Sequence, residues 1–411
     1  MAVFENVYSI VNALYAQATG KTDLTAVDSS SFVSVATTAL QTGYENFMNA
    51  LSNVVIKTIF GWRPYNEKFG IIEADAQRFG NHVRKISNID EFEASEEEAY
   101  NLVDTYSYDP WVVNKTKAVQ LNYYDKKGYK RWKSIPVTQI DTAVTGEAQF
   151  AQFIAMIMGE LQNRVAQDRE DAKRLTFNNY IMGVYQDDLY SPNGRVINLL
   201  SEYNTATGLS LTTSTVYQPA NYMPFIQWAS ARIMSVSDHM TERGYLYHKN
   251  ITNANIPRHT PKEYQKFVLM SDAYRQIEAS AFSNTFHERY VNGFGGFEPI
   301  NFLQSDKDGY RNSISMSKYV SLANDGSIFT PSAGEYTLNG FFGAIFDRDA
   351  MLLTTVDERM YSTGVNPRAL YTNLWYHYAF RYCNDFTENC VIFVMQDVES
   401  GGGDGGEGGG G

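Results

Sequence analysis

Residues 145–183 constrain this chain more than any other stretch. Phe150, Ile154, Ile157, Leu161, Val165, Ala172 and Leu175 follow one another by three or four positions, with one gap around Asp168. That is the period of one face of an α-helix. Thr145 can cap its start, and Glu147 suits the first turn, where a negative charge meets the helix dipole. About 37 residues at ~1.5 Å each make a rod of roughly 55 Å, against a usual helix of ~11–12 residues. Only one face is strongly apolar, so the other is exposed or meets a partner. A long coiled-coil dimer would need the heptads to run on, and none continues past this helix.

The elements around the rod differ in kind. Val3, Val7, Ile10, Val11 and Leu14 have helical spacing, residues 19–34 are small and polar and bury little, and Phe47, Leu51, Val54 and Val55 return to helical spacing before Gly61-Trp62-Arg63-Pro64. The first 60 residues read as an extended arm or an ordinary helical subdomain. Beyond the rod, the segment 184–340 reads as a mixed α/β domain. A helix is expected over 224–241. A buried strand, Phe267–Ser271, runs straight into a helix over 272–282. Strands are expected over 340–346, 350–355 and 369–382, and Cys390–Met395 reads as a fully buried strand. Residues 401–411 are glycines with Asp404 and Glu407, a disordered tail.

Residues 66–144 form a charged excursion. Asp90, Glu91, Glu93, Glu96, Glu97 and Glu98 make an acidic run. Lys115, Lys117, Lys126, Lys127, Lys130, Arg131 and Lys133 make a basic one, broken only by Asp125. Asp125-Lys126-Lys127-Gly128 is a hairpin signal, and alternation on either side predicts a ribbon of Val119–Tyr123 against Tyr129–Ile135. Such a ribbon is marginal alone and should lie on something. The two runs are solvated faces, or they meet between neighbouring copies.

Composition narrows function. The 411 residues are 44% hydrophobic and 19% charged, which allows two or three cored domains and excludes global disorder. With 34 Lys+Arg against 46 Asp+Glu the net charge is −12, which disfavours a general nucleic-acid binder. Aromatics reach 14%, the kind of side chain extensive interfaces use. Two cysteines, Cys383 and Cys390, exclude a disulfide scaffold and a cysteine zinc site. No membrane-length apolar run or secretory start is evident, so a soluble intracellular product is expected.

Catalytic signatures are missing. His82, His239, His248, His259, His287 and His377 are scattered, with no metal-binding spacing. There is no nucleophile elbow or Walker A loop, and Gly293–Gly296 reads as a turn. Asp187, Asp188 and Asp385 leave a two-carboxylate glycosidase open. No enzyme, cofactor or metal is expected.

The order of elements resembles the major capsid proteins of tailed bacteriophages, with the Hong Kong 97-type (HK97-like) fold. Asp347–Thr355 and Asn366–Tyr378 look like the stretch before the closing strand in major head proteins of small short-tailed phages that prime replication with a terminal protein. Tyr264–Phe282 is similar to that family's strand and helix in the axial domain. Elsewhere only the order matches, and no immunoglobulin-like extension follows.

The resemblance implies an α+β fold. Its parts would be an N-terminal arm (1–65), an extended β-hairpin loop (66–144), a spine helix (145–185), an axial domain (186–340), peripheral strands (341–382), a C-terminal axial strand (383–400) and the tail. It implies a structural protein of the virion, assembled in the host bacterial cytoplasm into an icosahedral head around double-stranded DNA. Partners would be many copies of itself in hexamers and pentamers, a portal, and scaffolding or head-fibre proteins. DNA contact would be weak and non-specific, with no membrane. Alternatives are an encapsulin-type compartment, which shares the fold, and a monomeric carbohydrate-acting or binding protein. In a shell, the basic run is expected to lie over a neighbour's acidic surface, with 90–98 one candidate, and reversal of Lys126, Lys127, Lys130 and Arg131 to Glu should block assembly.

Overall fold

The computed structural model describes residues 7–56, 69–73, 83–88, 97–107, 109–111, 113, 115, 118–123, 126–251, 256–283, 297–306 and 309–397. Among them the helices are α1 (Val7–Thr19), α2 (Ser29–Gln41), α3 (Tyr44–Ile56), α4 (Val137–Val144), α5 (Glu147–Tyr190), α6 (Leu199–Thr207), α7 (Pro219–His239) and α8 (Ser271–Ser283). The strands are β1 (Val83–Asn88), β2 (Ala118–Tyr123), β3 (Lys126–Pro136), β4 (Val196–Asn198), β5 (Gln265–Met270) and β6 (Phe297–Ile300). Short strands β7 (Gln304–Asp306), β8 (Gly309–Arg311), β9 (Ile314–Met316), β10 (Ser321–Leu322), β11 (Ile328–Phe329) and β12 (Tyr336–Leu338) pair as three small ribbons. Long strands close the fold: β13 (Phe341–Asp347), β14 (Met351–Ser362), β15 (Tyr371–Asn384) and β16 (Cys390–Val394).

The chain divides into two compact units. One comprises Met1–Asn81, Asp125–Lys173 and Leu353–Tyr382; the other comprises His82–Tyr124, Arg174–Leu352 and Cys383–Gly411. The chain passes between them within α5, β14 and β15.

In the first unit α1, α2 and α3 pack together around Val11, Leu14, Phe32 and Phe47, with Ile140 of α4 and Phe150 of α5 in the same core. Residues 7–56 are thus a helical subdomain and not an extended arm. The small polar stretch contributes more than its composition suggests, because its polar groups are spent locally. Asp28 Oδ1 accepts the Ser31 N–H at 2.8 Å while Ser31 Oγ accepts the Asp28 N–H at 3.0 Å, a capping box that starts α2. Phe32 then turns inward and meets Phe150 edge-on, ring centroids 5.6 Å apart.

The charged excursion pairs differently from the sequence expectation. β2 runs antiparallel to β1, from Val83↔Tyr123 to Asn88↔Ala118. β3 instead runs antiparallel to β15, from Lys126↔Arg381 to Pro136↔Tyr371, in a sheet of order β14-β15-β3. The residues Lys126–Gly128 of the supposed turn are strand, and Asp125 lies outside the described residues. The long ladder with stacked cross-strand rings (Tyr129 on Tyr378 at 5.7 Å, Trp132 on Trp375 at 5.0 Å) outweighs a short hairpin.

The rod is a single helix of 44 residues, longer than expected. Thr145 does not cap it. It ends α4, with its hydroxyl donating to the Thr142 carbonyl at 2.6 Å. Phe150, Leu161 and Val165 are buried as their spacing predicts, whereas Leu175 is 59% exposed. The reason is a change of buried face: past residue 173 the helix belongs to the second unit and buries Phe177, Tyr180, Ile181 and Val184. The side chains of Ile154 and Ile157 lie outside the described residues.

The second unit is built on a mixed sheet of order β4-β16-β13-β5-β6. Every residue of β13 and β16 is buried, as in strands that read as continuous apolar runs. Helices α6, α7 and α8 bring Leu200, Phe225, Ile233 and Ala273 into a core with Phe267, Ile345 and Phe393. Phe177 of α5 packs against Phe341 and Phe346 of β13, both at 6.2 Å.

Gly343 lets β5 approach the centre of this sheet. A Cβ there would sit 2.6 Å from the Val268 carbonyl oxygen and closer still to the Leu269 side chain. Gly343→Ala should therefore lower stability by about 1–3 kcal/mol, read as an earlier denaturant midpoint in equilibrium unfolding of the subunit. An unchanged midpoint would show that β5 can move aside.

Candidate subunit-contact surfaces

The gap in the apolar series of α5 is where polar contacts of the first unit concentrate. Asp168 accepts one edge of the Arg131 guanidinium of β3 through both of its oxygens, from Nη2 at 2.5 Å and Nε at 2.6 Å, and also accepts the hydroxyl of Tyr378 from β15. The next residue, Arg169, donates to Glu358 of β14 at 2.7 Å. Adjacent helix positions thus hold all the strands of the β14-β15-β3 sheet. One turn on, the wholly buried Lys173 donates to Glu73 at 2.5 Å, and the neighbouring Ile72 carbonyl accepts the Leu353 N–H of β14 at 2.8 Å. Burial works against the Asp168 charge, but the hydrogen bonds from Arg131 and Tyr378 outweigh it and hold the carboxyl below its usual range. Burial, then donation to that carboxylate, pushes Tyr378 up to about 12.

β3 sorts the basic residues by face. Tyr129, Arg131, Lys133 and Ile135 are half-buried or buried, while Lys126, Lys130, Trp132 and Ser134 are exposed. The Lys127 ammonium lies 5.6 Å from the Tyr129 ring, and that of Lys130 lies 5.5 Å from the Trp375 ring. Arg131 is committed within its own chain to Asp168, a use the sequence did not reveal. Lys115 is exposed, and Lys117 lies outside the described residues. Of the acidic run, Glu91, Glu93 and Glu96 lie outside them, Glu97 is exposed, and Glu98 opens a 3-10 turn, Glu98–Tyr100. Lys126–Lys133 belong to the first unit, Glu97 and Lys115 to the second.

Two exposed apolar surfaces escaped the sequence reading. On the outer face of the β14-β15-β3 sheet Trp132, 57% exposed, stacks on Trp375, and His377 stacks on Trp375 at 6.4 Å. Tyr361, 52% exposed, meets His377 edge-on at 5.9 Å. In the second unit Tyr100, Leu102, Val103, Tyr106, Trp111 and Val113 are all at least 65% exposed. Isolated exposed residues mean little, but the stacked row of Trp132, Trp375, His377 and Tyr361 is a candidate interaction surface. The only available signal was the aromatic fraction itself.

The candidate catalytic carboxylates are engaged structurally. Asp187 accepts Arg195 and Lys249, each at 2.5 Å, and Asp188 accepts the N–H groups of Asn193 at 2.8 Å and Val196 at 3.1 Å. Among the described residues no group of His, Cys, Asp and Glu could hold a metal ion, and no helix is long and apolar enough to cross a membrane. Both cysteines are free and buried.

A long helix pinned to a strand sheet and a second mixed α/β unit are consistent with a phage-capsid subunit of the Hong Kong 97-type fold, and the family profile assigns that class. The sequence profile of the Phi29-like phage major capsid protein family matches residues 10–394, and the chain belongs to that family. It is thus a major capsid protein, which sets aside the encapsulin-type and carbohydrate-protein readings. A solved structure titled head fiber and inner core protein gp22 of native bacteriophage P68 contains a similar chain, with a TM-score of 0.52 and 7% identity over 82% of this chain and 87% of that one. The capsid of Staphylococcus phage Andhra gives 0.49 and 9%, over 82% and 88%. The capsid of Cyanophage P-SCSP1u gives 0.42 and 12%, over 83% and 91%. The P68 likeness is one of fold, and the two looser ones carry no argument. No curated protein matches the chain.

Because the folded pKa of Asp168 is lowered, its stabilisation is present above the ordinary carboxylate value of 3.8 and lost as pH falls through the folded value. Asp168→Asn should cost about 1–2 kcal/mol near neutrality, discounted because Arg131 is partly solvated. The gap in melting temperature between wild type and variant should shrink only below about pH 4. A gap that is constant down to strong acid would show that Asp168 is not the titrating anchor.

Proposed function

We propose that many copies of this chain close into the icosahedral head that encloses the double-stranded DNA of a tailed phage, built as hexamers and pentamers in the host bacterial cytoplasm. The observation that carries this reading, beside family membership, is that the isolated subunit leaves rings uncovered on two surfaces, Trp132–Tyr361 and Tyr100–Val113. Neighbouring copies would cover them. Each contact can be weak, since closure makes a subunit hold several neighbours at once. A portal opens such a head, and scaffolding or head-fibre proteins attach to it. The net charge of −12 suits a wall that does not grip DNA.

Charge sets the register of these contacts. Lys126, Lys127 and Lys130, with Lys115 and Lys117, face the acidic run Glu91, Glu93, Glu96, Glu97 and Glu98 of a neighbour, whereas Lys133 shares the inward face of β3 with Arg131. Arg131 serves indirectly, by holding β3 in place. Exposed pairs contribute about 0–1 kcal/mol each, so they select alignment more than strength. Electron microscopy of the purified chain should show closed shells. Changing Lys126, Lys127 and Lys130 together to Glu, with Arg131 kept, should leave folded soluble subunits that sediment without shells. Normal shells from that variant would overturn the contact assignment.

A further inference from the structure

Among the described residues, the β1–β2 ribbon is anchored to its own unit chiefly by one buried ionic cluster. Lys85 of β1 donates to both Asp385 and Glu388 in the turn between β15 and β16. The Lys85 side chain is 23% exposed, Asp385 1% and Glu388 9%. Burial opposes the Lys85 charge, but the two carboxylates outweigh it and hold the ammonium above its ordinary range. Two smaller anchors flank it. Arg258 donates to Ser87 Oγ at 3.1 Å, and the Tyr123 hydroxyl of β2 bonds Asp385 and the Cys383 thiol. None of the described side chains of β1 or β2 is fully buried. Val119, Leu121 and Tyr123 are only half-buried, so apolar contact there is partial, and a two-stranded ribbon has little stability alone.

The socket does not depend on the ribbon. Asp385 also accepts the Thr387 N–H at 2.9 Å and the Thr387 hydroxyl at 2.7 Å. Glu388 keeps Arg258 at 3.4 Å, and Arg258 also donates to the Thr387 carbonyl at 3.2 Å. If Lys85 leaves, Glu388 keeps a cation and Asp385 keeps two neutral donors, and withdrawal of the ribbon lets water reach both, which lowers the usual penalty for breaking a buried pair.

We propose that Lys85 is a reversible ionic latch that stows the β1–β2 ribbon on its own subunit, and that its release frees the ribbon to engage a neighbouring copy. This rests on the reading that the excursion carrying Glu97 and Lys115 makes copy-to-copy contacts. The latch keeps that excursion from pairing prematurely and sets the concentration at which shells form.

The two thiols report on it. The buried Cys383 thiol is bonded to the Tyr123 hydroxyl of the ribbon, so opening should free that sulfur, whereas Cys390 lies in the fully buried β16 and reports on global unfolding. In unassembled full-length subunits, Lys85→Met should quicken thiol labelling of Cys383 about tenfold, as loss of ~1.4 kcal/mol of closing free energy would. Cys390 should stay unreactive, and shells should form at several-fold lower protein concentration. In wild type, salt that shortens the Debye length from about 10 Å to about 3 Å should quicken Cys383 alone, and Lys85→Met should lose that response.

Equal Cys383 labelling in wild type and Lys85→Met would overturn the latch. Faster labelling with an unchanged assembly threshold would overturn its regulatory role. If Cys390 labels in parallel, the variant has unfolded, and the wild-type salt series decides alone: no selective rise at Cys383 overturns the latch. Normal shells from the triple Lys-to-Glu variant would fell the contact reading while leaving the labelling result standing.

Discussion

One carboxylate decides which side chains the first unit shows to the outside. Asp168 takes two N–H groups on one edge of the Arg131 guanidinium and the hydroxyl of Tyr378, so a single group on α5 fixes β3 and β15 at the position where Arg131 lies opposite Tyr376. The two-point ionic fork adds to the apolar packing of Ile135 in excluding a slide of one residue. In a strand such a slide exchanges the two faces. Shifted by one, β3 would turn Lys130 and Trp132 toward the helix and Arg131 toward solvent. The outer face of stacked rings and lysines is therefore a consequence of the inner knot. An apolar residue at position 168 would leave the half-buried guanidinium without its charge partner, so the helix gives up one step of its apolar stripe to gain a fixed register.

That exchange explains what could be read from the sequence. Elements whose signal is local were legible: the buried strand and helix at 265–283, the apolar runs of β13 and β16, and the long helix itself. The gap at Asp168 was visible, but its meaning needed Tyr378, 210 positions away. The same distance hid the partner of β3. Asp125-Lys126-Lys127-Gly128 is a sound local signal for a turn, yet β15 offers Trp375 and Tyr378 to rings already on β3. Leu175 fits the helical spacing and is exposed because α5 changes neighbours near its middle. Phe32 was missed for the opposite reason: the polarity around it is consumed in a helix cap. Trp132 lies on the exposed face of an alternating strand, yet its alternation alone does not say which face is outward, because an exposed aromatic reads like a core one.

The same arrangement bears on how copies avoid the wrong encounter. Outer sheet faces that carry Lys126 and Lys130 repel their own kind, which disfavours a closed face-to-face dimer that would consume the aromatic row. The acidic balance of the whole chain adds a weak general repulsion between subunits, screened beyond about 10 Å at ordinary salt. Only an approach that brings acidic residues of one copy to the cationic face of another gains at short range. Bury those rings at about 25 cal/mol per Å², and an encounter of modest area is favourable yet still breakable. A shell needs that combination, because a subunit trapped in a wrong contact must leave before closure. Exposed rings alone would aggregate, and exposed charges alone would hold nothing; placed on the same strand, each limits the failure of the other.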